Sequence, residues 1–438
     1  MKSLIENKNQ LINYILDGSK SREDYKIGIE CESLLYNLKN FNALSYNEIK
    51  SVLESFNNSV WQPVYELDNV IGLQSSLGNI SLEPAGQFEF SSNPCANNND
   101  LNSFLNQYFN EVLPILANKQ YAMVNLGFNP KFSPDQLPLM PKERYNTMYG
   151  YMPKVGSLGR SMMKSTCTLQ ANFDFSNEED LKKKFRISMA LQGIITAIYA
   201  NSSIVNGVQS DYKSYRGHIW TDVDNKRAGL LDFVLDDNFS VEKYVDYALQ
   251  IPMYFVQRDN KYVDVQNITF KDFLTFKYKF KDILPLVEDF SLHLSTLFPD
   301  VRLKTYLEVR GADVPDREYL MSLPALFTGL LYDKSSLDSA YDLIKDFKYA
   351  ELHQLKIDVN KEGLQAKLYG KTVQDFALQI IEIANSGLKN RGLNEEVYLT
   401  PLHALVSEGE NLSSKKLKML NDNQGDVNKL INHLQIKS

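Results

Sequence analysis

The chain has 438 residues, of which 43% are hydrophobic and 23% charged, and its formal net charge is −7. This is the composition of an ordinary folded globular protein, and it excludes a disordered or fibrous chain. The acidic balance argues against a nucleic-acid partner, and no stretch reaches the roughly 18 apolar residues that a membrane span needs.

The first third of the chain predicts a sheet flanked by three helices. Apolar residues at helical spacing mark the helices, and β-branched and aromatic runs bounded by turn residues mark the strands. In chain order, the predicted elements are helix 4–16, strand 27–35, helix 46–56, strands 63–68 and 80–90, helix 101–116 and strand 123–128.

The rest of the chain is increasingly helical. Residues 132–159 are rich in Pro, Gly, Met and Tyr without a steady period, which predicts a long loop over a site. The further predictions are strand 167–175, helix 178–201, strand 305–311 and mostly helix after 324, including helix 373–388. Strands and helices segregate without regular alternation, which favours an α+β fold with an antiparallel sheet. No linker divides the chain, so we expect one domain, with a motif-bearing core of about 25–332 and a helical segment, 333–438.

Acidic and amide residues recur two positions apart inside the strand-like runs. Glu30 and Glu32 form one pair, and Glu83, Gln87 and Glu89 form a second set. Residues at this spacing point to the same face of a strand. One such pair alone would be a solvated strand face about two times in three, but two sets lower that chance. Carboxylate oxygens on rigid strands suit Mg²⁺.

Two later strands repeat the spacing, with Gln170 and Asn172 on one and Glu308 and Arg310 on the other. Strands whose inward faces carry carboxylates, amides and arginines would line a polar funnel that handles divalent cations and phosphates. The pattern therefore predicts an ATP-dependent enzyme that uses Mg²⁺.

A short segment at 216–222 combines a guanidinium, an imidazole, an indole and a carboxylate. Arg216 is suited to hold a substrate carboxylate through two hydrogen bonds. Trp220 and Tyr254 each fit either a core position or a wall of the substrate site. His218 has no nearby nucleophile and no metal-ligand spacing, so a structural role is favoured by about three to one.

The three cysteines, Cys31, Cys95 and Cys167, lie in no metal-binding motif and cannot all pair. Cys167 alternates with polar neighbours on a strand, which predicts a buried structural thiol. A small number of unpaired cysteines indicates a reducing compartment, and the predicted location is the cytoplasm.

Six ordered stretches resemble the plant and proteobacterial type of glutamate-cysteine ligase. They are ISLEPAGQFE at 80–89, YMPKVGSLG at 151–159, TCTLQANFD at 166–174, HIWTD at 218–222, YVDYA at 244–248 and YLEVRGAD at 306–313. The resemblance implies a glutamine-synthetase-like antiparallel sheet that forms a funnel. It also implies a two-step reaction, in which ATP phosphorylates the γ-carboxylate of L-glutamate and the amine of L-cysteine then displaces phosphate, the first step of glutathione biosynthesis.

The resemblance also assigns roles to the candidate residues. It implies metal ligation by Glu30, Glu32, Glu83, Glu89 and Glu308. Arg216 and Arg310 would be catalytic, and the substrate-binding set would be Gln87, Arg144, Gln170, Asn172, Trp220 and Tyr254. The implied partners are Mg²⁺, ATP, L-glutamate and L-cysteine, with no nucleic acid and no membrane, in a monomer or weak homodimer.

The chain departs from the family pattern at two positions: Cys31 stands where histidine is usual, and Ala85 where a glycine is common. The position of Cys31 faces away from the glutamate pair, so packing should change more than chemistry. The cysteines needed for the redox-regulating disulfides of plant members are not evident, which predicts no disulfide switch. Two alternatives remain open: ligation of glutamate to a different amine, and a sensor that binds ATP and glutamate without turnover.

Overall fold

A computed structural model describes residues 3–259, 261–275 and 283–437. The strands are β1 Ile27–Asn37, β2 Gln62–Glu66, β3 Asn69–Gln74, β4 Gly78–Leu82, β5 Phe88–Ser92, β6 Tyr121–Val124, β7 Thr168–Phe173, β8 Ile204–Val205, β9 Val208–Gln209, β10 Ala228–Gly229, β11 Phe255–Arg258, β12 Lys261–Asp264, β13 Phe298–Pro299, β14 Val301–Leu303, β15 Leu307–Asp313, β16 Lys367–Leu368 and β17 Lys371–Thr372.

The helices surround the strands and dominate the C-terminal third. They are α1 Asn9–Leu16, α2 Tyr46–Leu53, α3 Asn98–Lys119, α4 Glu143–Tyr151, α5 Gly159–Ser165, α6 Glu178–Ala190, α7 Gln192–Ile198, α8 Tyr215–Ile219, α9 Val241–Gln250, α10 Phe270–Thr275, α11 Val287–Leu294, α12 Ser322–Tyr332, α13 Lys334–Ile344, α14 Tyr349–Glu362, α15 Val373–Arg391, α16 Thr400–Ser407, α17 Leu412–Asp422 and α18 Val427–His433.

Nine strands form one sheet in the order β14-β15-β7-β1-β5-β4-β3-β2, and β6 pairs with the far end of β1. Every pair in this sheet is antiparallel. The predicted α+β fold with an antiparallel sheet is therefore confirmed.

The two faces of the sheet differ sharply, because side chains alternate along each strand. One face is apolar and buried; it carries Ile29, Cys31, Phe90, Leu169 and Val309. Helices α3 and α12 pack on these strands, and the Tyr108 ring of α3 stacks on Phe90 at a centroid distance of 4.4 Å. The other face carries the acidic, amide and basic side chains. Burial of the first face therefore fixes the second as one polar surface.

Several predicted elements differ from the observed ones. Residues 80–90 are not one strand, because the segment 83–87 is a tight hairpin between β4 and β5 in which Gly86 has a φ of +86°. Such a turn needs a left-handed residue at this position, which glycine adopts without strain. The first helix begins only at Asn9, and the predicted helix 178–201 is divided at Leu191 into α6 and α7.

The predicted loop 132–159 is wrong as a structural assignment. Helix α4 lies within this segment, and α5 begins at its end. The apolar side chains Tyr145, Met148 and Tyr151 of α4 are buried, although Gly and Pro nearby obscure their helical period. The segment does contribute side chains to the candidate site.

Candidate active site

The strand register brings the predicted residues together in rows across the polar face. Glu32 of β1 pairs with Glu89 of β5, while Glu30 pairs with Gln170 of β7. One row further, Asn172 of β7 pairs with Glu308 of β15. The spacing of two residues along each strand thus becomes a continuous patch across β5, β1, β7 and β15.

Glu30 is held by the two amides of the neighbouring strand. Gln170 Nε2 donates to one of its oxygens at 3.3 Å, and Asn172 Nδ2 donates to the other at 3.1 Å. Burial, and then the nearby Glu308 carboxylate, raise the pKa of Glu30. The side-chain oxygen of Asn172 is buried and has no hydrogen-bond partner in the described part of the chain. It remains available as an oxygen ligand or acceptor.

Glu32, Glu83 and Glu89 form a carboxylate row with few compensating donors. Glu32 accepts the Thr168 backbone N–H at 2.9 Å, and Glu89 accepts the Ser91 hydroxyl at 2.7 Å. Burial, followed by repulsion from Glu89 and Glu83, raises the pKa of Glu32 well above its ordinary value. Burial and the charges of Glu83 and Glu30 raise the pKa of Glu89 to about 8. The row therefore has a deficit of positive charge.

The hairpin that carries Glu83 is fixed by Gln87. The Gln87 amide accepts the Ala85 N–H at 2.8 Å and donates to the carbonyls of Met163 and Thr166, both at 3.1 Å. Its hydrogen-bonding groups are thus used within the protein. This geometry favours a role in positioning the hairpin against α5, and the substrate-binding role of Gln87 stays a prediction.

Glu308 is fully buried among three cations. Arg302 Nη2 lies 2.7 Å from one of its oxygens, Lys304 Nζ lies 3.0 Å from the other, and Arg310 also contacts it. Although burial opposes ionisation, these cations hold the pKa of Glu308 well below its usual range. Metal ligation by Glu308 stays a prediction, and its surroundings favour a role as an anchor for the three cations.

The two predicted catalytic arginines are linked to each other through the backbone. Arg216 Nη2 donates to the Arg310 carbonyl at 2.8 Å and to Thr168 Oγ1 at 3.0 Å, while Arg310 Nη1 donates to Gln170 Oε1 at 2.5 Å. Asp313, which is fully buried, lies 3.9 Å from Arg216 Nη1. Arg216 Nε is buried and finds no partner among the described residues.

A cavity of about 110 Å³ collects many of the predicted residues. Glu32 and Glu83 contribute carboxylates to its wall, and Arg144, Arg216 and Arg310 contribute guanidinium groups. The other candidates that line it are Gln87, Gln170 and Trp220, together with Tyr145, Thr168 and Phe298, which sequence reasoning did not identify. Carboxylates and arginines in one partly enclosed space can bind a cation, an anion, or a ligand with both charges.

Five candidates lie outside that cavity, and four of them still belong to the polar patch. Glu30 and Asn172 line a neighbouring cavity at the other end of the polar patch, with Lys20, Lys26 and Tyr306. Glu308 is enclosed by its cations, and Glu89 lies beside Glu32 in the sheet.

The structure does not bring Tyr254 to the patch. Its ring is buried against the Arg227 guanidinium, 4.1 Å from the ring centroid, and against Tyr151. Tyr254 therefore occupies a core position, which was one of the two roles that its sequence context allowed.

The donor set fits a hard divalent cation better than a zinc-type site. Within residues 3–259, 261–275 and 283–437, no group of three His, Cys, Asp or Glu side chains forms a ready-made metal site. Mg²⁺ characteristically uses one or two protein carboxylates, several waters and substrate phosphates. The under-compensated Glu32, Glu83 and Glu89 supply carboxylates of this kind on an accessible surface.

Sequence reasoning missed Arg302 and Lys304, although a signal was present. The two cations are two residues apart on the edge of the sheet, the same spacing that identified Glu30 and Glu32. Thr168 is likewise in phase with Gln170. Basic and hydroxyl side chains at a spacing of two residues predict a shared strand face in the same way as acidic ones.

The amino-acid sequence matches a family model and several characterised relatives. A model described as glutamate-cysteine ligase family 2 matches residues 26–433. The chloroplastic glutamate–cysteine ligase B of Oryza sativa subsp. japonica is 41% identical over 414 residues, which cover 94% of this chain and 84% of that relative. The chloroplastic glutamate–cysteine ligase of Arabidopsis thaliana is 40% identical over 420 residues, which cover 95% and 80% respectively.

A solved structure shares the fold. The crystal structure of a glutamate–cysteine ligase from Francisella tularensis in complex with AMP has a TM-score of 0.60 and 13% identity, and the match covers 95% of this chain and 88% of that one.

The predicted cytoplasmic location is wrong, because the names of these relatives place them in the chloroplast. The prediction rested on the cysteines, which are all free and buried. Unpaired buried thiols indicate only that a compartment does not oxidise them, so they do not identify which compartment it is. Among the residues that the structure describes, no helix combines the length and apolar character needed to cross a membrane.

Proposed function

The chain belongs to the glutamate-cysteine ligase family, and from this premise we infer that it joins the γ-carboxylate of L-glutamate to the amine of L-cysteine using ATP. This reaction is the first step of glutathione biosynthesis. The γ-carboxylate attacks the terminal phosphorus of ATP and releases ADP. The cysteine amine then attacks the acyl carbon, loses a proton and displaces phosphate, leaving γ-glutamylcysteine.

One observation supports this reaction at the polar patch more than any other. The same cavity presents the carboxylates of Glu32 and Glu83 together with the guanidinium groups of Arg144, Arg216 and Arg310. Phosphoryl transfer to a carboxylate brings several negative charges together, and the principal task of the enzyme is to position and neutralise them.

We propose Mg²⁺ as the cation, held by Glu32, Glu83 and Glu89 with Glu30 at the far end of the patch. When bound, Mg²⁺ would neutralise phosphate oxygens and hold them in position. The protein contributes rigid strand positions for the carboxylates, because Glu32 and Glu89 pair directly across β1 and β5.

The arginines are proposed to orient the transferred group and the substrate carboxylate. Arg310 is held by Gln170 and by the buried Glu308, and Arg216 is held by Thr168 Oγ1 and the Arg310 carbonyl. These contacts fix both guanidinium groups before a substrate arrives, which lowers the cost of organising charge during the reaction.

Trp220 and Arg144 are proposed as substrate-binding side chains. The Trp220 ring lies 5.9 Å from Phe298 at the cavity wall, and its indole N–H is buried without a partner among the described residues. Arg144 has a similarly unpartnered Nε. Buried donors of this kind gain most from a ligand that supplies an acceptor.

We further propose that residues 1–438 form a single catalytic domain that acts as a monomer or weak homodimer. The continuous nine-stranded sheet supports the single domain, since its strands span 27–313 of the chain. The net charge of −7 supports the absence of a nucleic-acid partner.

The test is ADP release by the purified protein with ATP, Mg²⁺ and glutamate, with and without cysteine, together with detection of γ-glutamylcysteine. Glu32→Gln should abolish both products, whereas Glu382→Gln, which removes the same charge from an exposed position on α15, should not. A well-folded wild-type protein that releases no ADP under any of these conditions would contradict the proposal.

A panel of amines in place of cysteine distinguishes the alternative acceptors. Faster ADP release with another amine than with cysteine would reassign the acceptor while retaining the ligase chemistry. Binding of ATP and glutamate without any ADP release would instead indicate a sensor.

A further inference from the structure

Asp313 is a buried carboxylate that the reaction proposed above does not use. It is the last residue of β15, and it is 0% exposed. Gly127 packs directly on it, because a Cβ at that glycine would lie 2.5 Å from the Asp313 Cβ. Asp313 does not line the cavity that holds Glu32 and Glu83. A buried charge costs stability unless close partners compensate it, so the partners of Asp313 indicate what it does.

The partners of Asp313 belong to the two segments that meet at the start of α8. One carboxylate oxygen accepts the Asn201 backbone N–H at 2.9 Å and the Ser202 hydroxyl at 2.6 Å. The other oxygen accepts the Ser214 hydroxyl at 2.9 Å. Asp313 thus joins the segment after α7 to the residue that precedes α8.

The two hydroxyls pass this restraint on to the backbone of α8. Ser202 Oγ accepts the Arg216 N–H at 3.1 Å, and Ser214 Oγ accepts the Gly217 N–H at 2.9 Å. Each hydroxyl has one proton, and an ionised carboxylate only accepts. Asp313 therefore fixes both hydroxyl protons toward itself and a lone pair of each hydroxyl toward α8. Asparagine at this position would turn an amide donor toward a hydroxyl or a backbone N–H, and at least one of these contacts would be lost.

The Arg216 side chain is held by the same strand that ends in Asp313. The pairing of β15 with β7 shifts register at 310–311. The carbonyls of these two residues accept Arg216 Nη2 at 2.8 Å and Nη1 at 3.4 Å, respectively. Gln192 Oε1 accepts the Gly311 N–H at 2.9 Å, which holds the shifted stretch in place. The backbone and the side chain of Arg216 are therefore both anchored to β15.

Asp313 also acts on the charge of Arg216 without occupying its donors. Asp313 Oδ1 and Arg216 Nη1 are 3.9 Å apart, which is beyond hydrogen-bond distance. Burial lowers the pKa of Arg216, and the charge of Asp313 opposes this shift. Arg216 lines the cavity, and its buried Nε has no partner among the described residues. The guanidinium charge is thus favoured at the cavity while a donor stays available to a ligand.

We propose that Asp313 is a positioning residue for Arg216. Through Ser202 and Ser214 it fixes the first turn of α8, and this places the Arg216 guanidinium against β15 with its charge at the cavity. Asp313 itself touches no substrate. The expected effect on turnover rests on the ligase reaction inferred above, whereas the position of Arg216 can be measured without it.

The backbone around α8 has further anchors that do not involve Asp313. The Asn360 carbonyl of α14 accepts the Ser214 N–H at 3.1 Å and that of the preceding residue at 2.7 Å. Lys356 on the same helix lies 2.6 Å from Asp300. These contacts hold the segment when the Ser214 hydroxyl is removed, so Ser214→Ala should fold even if Asp313→Asn does not.

The first experiment is a double-mutant cycle on kcat/KM for glutamate. Asp313→Asn and Ser214→Ala should each lower it about tenfold in the wild-type background, because a displaced guanidinium no longer meets the substrate in the productive geometry. In the Arg216→Lys background the same changes should cost less than about threefold, since the effects of residues that act as one unit are not additive. A purely structural role would give the same fall in both backgrounds, and that result would overturn the proposal.

Asp289→Asn is the matched control. Asp289 of α11 is 3% exposed, accepts the Leu286 N–H at 2.9 Å and pairs with Arg258 at 2.6 Å, so it is another buried and hydrogen-bonded aspartate. It lines neither cavity of the polar patch. Asp289→Asn should lower the free energy of unfolding but leave kcat/KM for glutamate unchanged at a temperature where the variant is folded.

Crystal structures of Ser214→Ala and Asp313→Asn test the positioning without any turnover. We expect the Arg216 guanidinium to move about 1 Å or more away from the Arg310 carbonyl, a displacement sufficient to impair catalysis. This result supports the role of Asp313 even if the wild-type protein makes no γ-glutamylcysteine. An unmoved guanidinium in folded Ser214→Ala, and in Asp313→Asn if it folds, would overturn the proposal.

Discussion

Replacing Glu89 by glutamine should stabilise the metal-free protein while impairing catalysis. Glu89 pairs with Glu32 across β1 and β5, and its carboxylate accepts hydroxyls from Ser91 and Ser81. No cation lies in salt-bridge contact with it among the described residues. Its charge is therefore a cost to the folded state in the absence of a bound cation.

The expected gain in the free energy of unfolding follows from the pKa of Glu89. This pKa rises from 4.5 to about 8 in the folded protein. A rise of that size corresponds to at most about 5 kcal/mol. Because the side chain is partly exposed, solvent screening reduces the expected gain on removing the charge to about 1–3 kcal/mol.

The pH dependence has a definite sign. The folded protein binds the Glu89 proton more tightly than the unfolded chain, so its stability falls as pH rises between 4.5 and about 8. The stability advantage of Glu89→Gln over wild type should accordingly be largest near pH 8 and shrink toward pH 5.

Urea unfolding in the presence of a chelator, at pH 5 and pH 8, measures both the stability gain of Glu89→Gln and its pH dependence. Glu382→Gln, on an exposed face of α15, serves as the control for loss of a carboxylate and should leave the free energy of unfolding unchanged at both values. Added Mg²⁺ should stabilise wild type more than Glu89→Gln. A Glu89→Gln protein that is less stable than wild type at pH 8, or whose advantage is equal at both pH values, would refute the reasoning.

Three further predictions concern other parts of the site. Glu308→Gln should destabilise the protein by about 3–5 kcal/mol in urea unfolding, since it leaves buried cations without their partner; an increase in stability would contradict this. Arg216→Lys should lower kcat/KM by about 100-fold without unfolding the protein, because lysine lacks the planar fork that reaches Thr168 and the Arg310 carbonyl together. Steady-state assays, with urea unfolding to check that stability is unchanged, test this prediction, and full activity would disprove it. Oxidant and reductant should leave steady-state activity equal, because all three thiols are buried and free; a redox response that disappears on replacing one cysteine by alanine would show otherwise.

Strand periodicity explains why much of the site could be predicted. Glu30 and Glu32 share a face because every strand residue alternates, whatever the neighbouring strands are. The same local rule predicted that Cys31 faces the core, where it is only 2% exposed. By contrast, the hairpin at 83–87 escaped prediction because a glycine inside an apolar run fits either a bulge or a turn.

The chemical state of each charged residue depended on tertiary contacts. Glu308 and Glu89 both lie on strands, and the spacing rule predicted both on the polar face of the sheet. However, Glu308 lies among three cations, and Glu89 lies among carboxylates. Their pKa values therefore move in opposite directions. Sequence spacing does not contain this difference, because the neighbours come from distant parts of the chain.

The amino-acid sequence determined the antiparallel α+β class, the polar face of the sheet and the family, since these follow from local periodicity and ordered motifs. Only the tertiary structure decided which strands lie side by side, that Tyr254 is buried away from the cavity, and that α14 brings Lys356 and Asn360 behind Arg216. The physical reason is that strand order and helix docking are chosen by burial of the whole apolar surface, to which residues far apart in the chain contribute together.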